Sequence, residues 1–289
     1  MIGSIHSIPH MAYWAMSITQ PTTEEFLSQR DEDRAAIEKA FFSQVVLANR
    51  TVKTTWDRRL DDLNAAALPL LKEIAAGPLN IMDVAISSGV STAEWYEYLV
   101  AHEIQFNLVG TDSNLHATLH STRNLALLMD EHDHLIHFDL FGNGWPPYQG
   151  GLHLHMLRHW IAVTGVAIAR SFGARVKKQD IQLVSHIIQG NNFSLRQDDL
   201  LQPNPGELKG AFTVVRAANI LNYAYFKEDA LRKILVNLKE RLTPAGILIV
   251  CRTVEMANQG TIFQLENSRL IPRIRLGEGS EIESLAVRL

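Results

Sequence analysis

The residues best suited to chemistry lie where an apolar segment gives way to a turn of small side chains. Residues 79–92 read LNIMDVAISSGVST, and Asp83 lies within their apolar part. The small residues of the turn are Ala85, Ser87, Ser88 and Gly89. A strand followed by such a turn and by the start of a helix brings backbone N–H groups close to a ligand. The pattern therefore predicts a binding turn for a nucleotide or nucleoside.

Further acids follow two other strand-like segments. FNLVGTD ends in Asp112, and an acid at this place accepts hydrogen bonds from both hydroxyls of a ribose in nucleotide-binding α/β folds. FSLRQ is followed by Asp198 and Asp199, where a carboxylate can accept the exocyclic amine of adenine. Asp199 is the better candidate, because LLQP after it resembles the exit from a strand into a turn. A tight turn with solvated acids is the alternative.

The segment VRAANILNYAYF, which ends another predicted strand, carries the remaining candidates. The carboxyl ends of strands line the ligand crevice of open α/β sheets. The polar and aromatic candidates there are Asn219, Asn222, Tyr223 and Tyr225. Asn219 is a candidate for cofactor binding, and Asn219 and Tyr223 are the candidates for catalysis. Capping by the asparagines and packing of the tyrosines in the core are the alternative.

The segment LHLHMLRHWIAVTGVAIARSFGARVKK predicts a helix with an apolar middle and basic ends. It favours weak contact of helix 152–172 with an anionic membrane surface or a partner, or else a buried helix whose basic ends reach solvent. His155 and His159 share one face of this helix, a spacing that can bind metal. No acid or cysteine completes a ligand set, so no metal site is predicted.

The order of predicted elements divides the chain. Residues 1–22 form an arm, and residues 1–77 as a whole form a helical N-terminal subdomain. From residue 78 to 289, strand-like and helix-like segments alternate, and the predicted helices lie at 92–101, 114–130 and 227–242. This alternation predicts a mostly parallel sheet. An insertion at about 131–190, with a hairpin around Gly142–Gly144, favours a lid or partner surface. The strand-like GTIFQLEN and EIESLAVRL predict antiparallel strands that close the sheet.

Composition narrows the class of protein. A net charge of −4 and a pI near 6.3 over 289 residues argue against a nucleic-acid binder. A single cysteine, Cys251, fits a reducing cytosol and lies in a segment expected to be core. No secretory signal or membrane span is visible, so a cytoplasmic protein is expected. Hydrolase and ATPase motifs (GxSxG and GxxxxGK[ST]) do not occur.

Taken in order, DVAISSG, VGTD, QDDLL, VRAANILNYAYF and LTPAGILIVCRT resemble the Rossmann-like methyltransferases that use S-adenosylmethionine, over roughly 79–289. The resemblance implies an α/β fold with a seven-stranded, mostly parallel sheet whose last strand is antiparallel. It implies S-adenosylmethionine as cofactor, with Asp83 and the turn through Gly89 facing the methionine moiety, Asp112 the ribose and Asp199 the adenine. ANILNYAYF is also similar to chemotaxis-receptor glutamate methyltransferases. Their arginine–asparagine pair is Ala218–Asn219 here, so their substrate does not carry over.

The resulting expectation is an S-adenosylmethionine-dependent methyltransferase that acts on a small molecule or a protein side chain. One alternative is a catalytically inactive methyltransferase-fold module for binding or assembly, because the turn is substituted and no general base stands out. Another is an NAD(P)-dependent oxidoreductase, although the sequence lacks a full GxGxxG turn.

Overall fold

The computed structural model of the protein describes residues 20–28, 34–48, 50–53, 58–150, 153–171, 176–186 and 190–289. Apart from its last three residues, the arm predicted at 1–22 therefore lies outside the described residues. The chain divides into two compact units. The first, here called the insertion unit, comprises Met1–Thr54 and Ala117–Ile181. The second, the sheet unit, comprises Thr55–His116 and Gln182–Leu289.

The helices and strands of the described residues alternate over residues 61–112 and again over residues 212–254. In order they are α1 (Thr23–Leu27), α2 (Arg34–Phe42), α3 (Asp61–Ile74), β1 (Leu79–Val84), α4 (Val90–Ala101), β2 (Phe106–Asp112), β3 (His116–Ser121), β4 (Leu125–Met129), β5 (Leu135–Leu140), β6 (Asn143–Trp145), α5 (His153–Ser171), β7 (Lys177–Gln182), β8 (Phe193–Gln197), β9 (Phe212–Ala218), α6 (Glu228–Arg241), β10 (Leu242–Val254), β11 (Ala257–Glu266), β12 (Arg269–Leu276) and α7 (Glu283–Ala286).

The sheet unit is built on a seven-stranded sheet with the order β12-β11-β10-β9-β1-β2-β8. The pairs β1–β2, β1–β9, β2–β8 and β9–β10 are parallel. β11 is antiparallel to both of its neighbours. The predicted α/β class, a seven-stranded and mostly parallel Rossmann-like sheet, is therefore confirmed.

The end of this sheet differs from the prediction. The antiparallel strand is β11, the sixth strand in chain order, and β12 runs in the direction of the first five. Asn267 and Ser268 join β11 to β12, and both have positive φ (49° and 64°), as a tight hairpin turn requires. EIESLAVRL is not a strand. Its apolar residues Ile282, Leu285 and Ala286 lie on one face of the turn and helix around α7 and are buried in the core.

Helices cover both faces of the seven-stranded sheet. On one face, α6 buries a stripe of leucine and isoleucine against the sheet: Leu231, Ile234, Leu235 and Leu238. On the other face, Leu63, Leu70 and Leu71 of α3 share a core with β1 and with Trp95 of α4. The predicted core position of Cys251 is confirmed, and burial raises the pKa of its thiol to about 12. Because α3 packs here, residues 61–74 lie in the sheet unit, and the domain bounds expected from the sequence, 1–77 and 78–289, stay a prediction.

The insertion unit contains a five-stranded sheet with the order β6-β5-β4-β3-β7. The helix predicted at 114–130 is wrong, because this segment forms β3 and β4. In β3, Ala117 and Leu119 alternate with more exposed neighbours, which is the period of a strand and not of a helix. The hairpin around Gly142–Gly144 is confirmed by the antiparallel pair β5–β6. The chain thus enters this second sheet directly after β2, and the insertion expected at about 131–190 stays a prediction.

Helix α5 packs against the second sheet through small residues. Ala162 and Val166 lie in a core with Phe138. A Cβ atom at Gly165 would lie 2.5 Å from a methyl carbon of Leu125, so a larger residue there would require the Leu125 side chain to move. Among the described helices, none combines the length and the apolar content needed to cross a bilayer.

Two histidines of α5 should make the free energy of unfolding depend on pH. Burial lowers the pKa of His155, and burial followed by the proximity of His155 lowers that of His159. The backbone N–H of Tyr148 donates to Nδ1 of His159 at 3.2 Å, which requires an unprotonated nitrogen. The unfolded chain, with the ordinary value of 6.5, then binds more protons than the folded one, so stability is lost as the pH falls below that value.

We therefore expect the melting temperature to fall between about pH 7.5 and 5.5. The double variant His155→Gln/His159→Gln should show a shallower fall in differential scanning fluorimetry. An identical slope in the variant would contradict the assignment of the effect to this pair.

Candidate functional site

The structure brings the predicted turn and two of the predicted acids to one edge of the seven-stranded sheet. The backbone N–H of Ile86 donates to the carbonyl of Thr111 at 3.0 Å. The N–H of Ser87 donates to the carboxylate of Asp112 at 2.8 Å. The N–H of Asp198 donates to the carbonyl of Asp112 at 3.0 Å. The carboxyl ends of β1, β2 and β8 are thus joined by direct hydrogen bonds, at the place where open α/β sheets bind ligands.

The turn adopts the backbone of a glycine loop without its full set of glycines. Ala85, Ser87 and Gly89 have φ values of 56°, 58° and 81°. These are the three positions at which the family resemblance expects glycine. A non-glycine residue in this region costs roughly 1–2 kcal/mol. Strained backbone of this kind is concentrated at ligand sites.

Ala85→Gly is expected to raise the free energy of unfolding by up to about 1 kcal/mol, because relief of strain exceeds the added entropy of the unfolded chain. Ala65→Gly, at an exposed position inside α3, is the matched control and should lower it by about 1 kcal/mol. Urea denaturation measures both. Equal losses in the two variants would show that residue 85 carries no strain.

Asp112 is held in place by two backbone groups. One carboxylate oxygen accepts from Ser87 N–H, and the other accepts from Asn114 N–H at 2.8 Å. These two contacts fix the orientation of the carboxylate. The side chain is nearly buried at the end of β2. This is an arrangement suited to the two hydroxyls of a ribose.

The two acids after β8 have different surroundings. Asp198 forms a bidentate ion pair with the buried guanidinium of Arg241, at 2.6 and 3.0 Å. Asp199 is exposed, and its carboxylate accepts from the N–H of Leu201 at 2.9 Å and from Gln202 at 3.1 Å. The structure therefore leaves Asp199, the residue preferred from the sequence, as the candidate for an adenine contact.

Asp83 lies in β1, just before the turn, and its side chain is buried. Its carboxylate accepts from Arg216 Nε at 3.0 Å, from Arg216 Nη2 at 2.5 Å and from the hydroxyl of Thr92 at 2.7 Å. Arg216 also donates to the carbonyl of Ser91 and stacks over Trp95, with Cζ 4.0 Å from the ring centroid. The Asp83 side chain is only 4% exposed and already accepts three hydrogen bonds, two of them from Arg216, and the contact with the methionine moiety that the resemblance implied for it stays a prediction.

Arg59 was not singled out from the sequence, since a lone arginine before a helix has no distinctive pattern. Its guanidinium lies at the start of α4, with Nη2 3.5 Å from the hydroxyl of Ser91. Its Nε is buried and has no hydrogen-bond partner within the described part of the chain. Burial, followed by the charge of Arg216, lowers its pKa. A desolvated cation beside the positive end of a helix is a receptor for an anion such as a carboxylate.

Two more buried polar atoms at this edge lack partners among the described residues: Ser88 Oγ in the turn, and Asn219 Nδ2 after β9. Asn219 has a φ of 62°, and its side-chain oxygen accepts from Thr253 N–H at 2.7 Å. Buried polar atoms without partners are rare in folded proteins and call for a ligand or water. The site therefore fits a cofactor that has polar groups along its length.

The loop after β9 separates into structural and exposed residues. The side chain of Asn222 accepts from the N–H groups of Ala224 and Tyr225, both at 3.1 Å, so it stabilises the loop as an asparagine turn. Tyr223 and Tyr225 are exposed and not packed in the core. They are therefore available to a ligand at the edge of the sheet.

Among known proteins, the chain is similar only to solved structures. No protein-family model matches the chain, and no curated protein matches it significantly. The citrinin polyketide synthase CMeT domain is 12% identical with a TM-score of 0.34, and the match covers 65% of this chain and 33% of that one. This chain thus spans about a third of the length of that protein.

Two further solved structures are matched over more of their length. The N-methyltransferase NodS from Bradyrhizobium japonicum WM9, in complex with S-adenosyl-l-homocysteine, is 15% identical with a TM-score of 0.32, covering 67% of this chain and 62% of that one. The PH0226 protein from Pyrococcus horikoshii OT3 is 12% identical with a TM-score of 0.35, covering 90% and 89%. Methyltransferases are thus among the structures that the chain resembles, but at these TM-scores the functional assignment depends on the geometry of the site.

Proposed function

We propose that the protein is an S-adenosylmethionine-dependent methyltransferase whose cofactor lies across the carboxyl ends of β1, β2, β8 and β9. The observation that carries the proposal is the anchoring of Asp112 by the N–H of Ser87 within a turn of three positive φ values. A turn that approaches a ligand with its backbone, joined to a ribose-binding acid, is the arrangement expected for an adenosyl group.

Each end of the cofactor has a counterpart among the residues at this edge. Asp112 binds the ribose, and Asp199 accepts the amine of adenine. The amino-acid end lies toward α4, where Ser88 Oγ supplies a buried polar atom without a partner and Arg59 a desolvated cation. The carboxylate of that end neutralises Arg59, which explains how a guanidinium is tolerated there.

The cofactor supplies an activated methyl group on a sulfonium, so the protein needs to do little covalent chemistry. Its residues must align the acceptor with the methyl group and exclude water, and alignment alone accounts for much of the rate. Asn219 Nδ2 and the exposed Tyr223 are the side chains proposed to orient the acceptor, which is a small molecule or a protein side chain. A general base is required only if the acceptor is a weak nucleophile.

The test is binding of S-adenosylmethionine and S-adenosylhomocysteine, measured by calorimetry. Asp112→Ala should weaken binding by about 1–3 kcal/mol, because the ribose hydroxyls lose a charged partner. That loss corresponds to roughly 5–150-fold in affinity. Asp229→Ala, which removes an exposed acid from the first turn of α6, is the control and should leave affinity unchanged.

Failure of the folded wild-type protein to bind either ligand would refute the proposed function. Unchanged affinity in Asp112→Ala would show that the adenosyl group lies elsewhere. Circular dichroism of each variant separates a loss of binding from a loss of fold.

A catalytically inactive binding module is the second candidate. It is supported by the two non-glycine residues in the turn and by the engagement of Asp83 with Arg216. Such a module would bind S-adenosylhomocysteine yet transfer no methyl group to any member of a broad panel of acceptors. Quenching of tryptophan fluorescence by NADH, with no binding of S-adenosylmethionine, would instead favour the oxidoreductase.

A further inference from the structure

Helix α5 presents an apolar face to solvent that the proposed methyl transfer does not use. Its large exposed side chains are between 39% and 58% exposed: Leu154, Leu157, Trp160, Ile161 and Ile168. The other exposed residues described on this helix are Thr164, Ala167 and Ser171. None of them is charged. We call the set of eight residues the α5 face.

The α5 face continues over the length of the helix. A helix of 19 residues is about 28 Å long. Contiguous exposed apolar patches mark interaction sites when they are large. The opposite side of α5 is already occupied, since Ala162 and Val166 pack against the second sheet. The α5 face is therefore an additional surface and not a displaced part of the core.

The spacing of the α5 face is that of a helix–helix contact. Positions 154, 157, 161, 164, 168 and 171 alternate by three and four residues, which is the seam of a coiled coil. The seam is also symmetric about its centre. In an antiparallel pair of identical helices, Leu157 lies opposite Ile168 of the partner subunit, and Ile161 lies opposite Thr164 of the partner subunit.

We propose that the α5 face is the centre of a two-fold symmetric dimer in which two copies of the chain pair their α5 helices antiparallel. The absence of charged residues from the α5 face favours a second copy of the chain over an acidic partner or a membrane surface. An acidic partner would require cations on the face, and an interfacial membrane helix carries Lys or Arg beside its apolar side. Arg158, the nearest described cation on α5, stacks over Trp145 at 4.0 Å and is engaged within its own unit. In an isologous dimer the same face of both subunits meets, and pairing two uncharged α5 faces brings no like charges together.

The size of the face limits the area that the dimer can bury. A standard interface buries about 800 Å² per partner, more than one helix face supplies. The dimer is therefore weak, with a dissociation constant on the order of micromolar. The proposal is independent of the cofactor and of the proposed function.

Sedimentation velocity of the full chain over a range of concentrations tests the proposal. Wild-type protein should change from monomer to dimer as its concentration rises. Ile161→Glu should weaken the dimer at least about tenfold, because two carboxylates are then buried near the two-fold axis. Val100→Glu, at an exposed apolar position on α4, is the matched control and should dimerise like the wild type.

A compensating variant tests the antiparallel register. In Ile161→Glu/Thr164→Lys, each introduced carboxylate lies opposite the introduced ammonium of the partner subunit, so the dimer should be recovered relative to Ile161→Glu. Dimerisation of Ile161→Glu at wild-type strength, or no recovery in the folded double variant, would overturn the proposal.

Two outcomes would identify another occupant and equally overturn it. The first is a monomer that sediments with phosphatidylglycerol vesicles and loses this binding in Leu157→Glu, which would identify a lipid surface. The second is a monomer that dimerises only after removal of residues 1–19, a segment that contains no Lys, Arg, Asp or Glu. That result would show that the chain covers its own face.

Discussion

Replacing Arg216 by methionine is expected to lower the free energy of unfolding by about 3–5 kcal/mol, because the Asp83 carboxylate then stays buried without its counter-ion. The two side chains are joined by bonds of 3.0 and 2.5 Å, and the Arg216 side chain is only 1% exposed. Desolvation of a lone carboxylate, rather than the loss of attraction, dominates the effect. Guanidinium chloride denaturation followed by circular dichroism measures it.

A double variant separates the two contributions. Asp83→Leu/Arg216→Met removes both charges and should recover most of the lost stability, since buried pairs are often replaced by apolar residues at little cost. Arg232→Met is the matched control, because it breaks the exposed pair with Glu228 and should cost less than about 1 kcal/mol. If Arg216→Met cost no more than Arg232→Met, the description of Asp83 and Arg216 as a desolvated ion pair would be wrong.

Replacing Arg59 by methionine is expected to have opposite effects on binding and on stability. Affinity for S-adenosylhomocysteine should fall by about 10–150-fold, the equivalent of one hydrogen bond to a charged group at roughly 1.5–3 kcal/mol. The free energy of unfolding of the ligand-free protein should stay the same or rise, because the variant removes a cation that burial destabilises and whose Nε has no hydrogen-bond partner in the described structure. Calorimetry and denaturation measure the two quantities.

A ligand without the carboxylate assigns the effect to Arg59. Methylthioadenosine keeps the adenosyl group and lacks the amino-acid end, so its affinity should be the same in wild type and Arg59→Met. Arg58→Met is the matched control, since Arg58 is exposed and pairs with Asp61 at 2.7 Å. A variant that loses affinity for both ligands equally would place Arg59 outside the carboxylate site and leave the adenosyl site itself intact as a proposal.

Much of the sheet unit could be predicted from the sequence, because its elements have local signals. β1, β2, β9 and β10 contain apolar runs, and Asp112 and Asp199 come at the end of β2 and just after β8. The turn between β1 and α4 was visible because small residues mark places where the backbone takes positive φ. These features depend on a few neighbouring residues, which is why a pattern could find them.

The insertion unit was predicted less well. Residues 114–130 contain leucines at spacings that a helix also uses, and only pairing with β5 and β7 makes strands of them. The meander of β10, β11 and β12 was likewise ambiguous, since a strand-like apolar run does not specify its neighbour. Strand pairing between distant segments overrides local preference, and no single window of sequence contains it.

The sequence by itself determined the class of fold, the turn of small residues after β1 and the place of Asp112 at the end of β2, since each depends on consecutive residues. Only the tertiary structure decided which charged side chains form buried ion pairs and which polar atoms have no partner among the described residues. Arg216 is 133 residues from Asp83, and Arg241 is 43 residues from Asp198, yet each pair closes in the core. The pairing of charges depends on which groups folding brings within about 3 Å of each other and removes from water, so it exists only once the chain has packed.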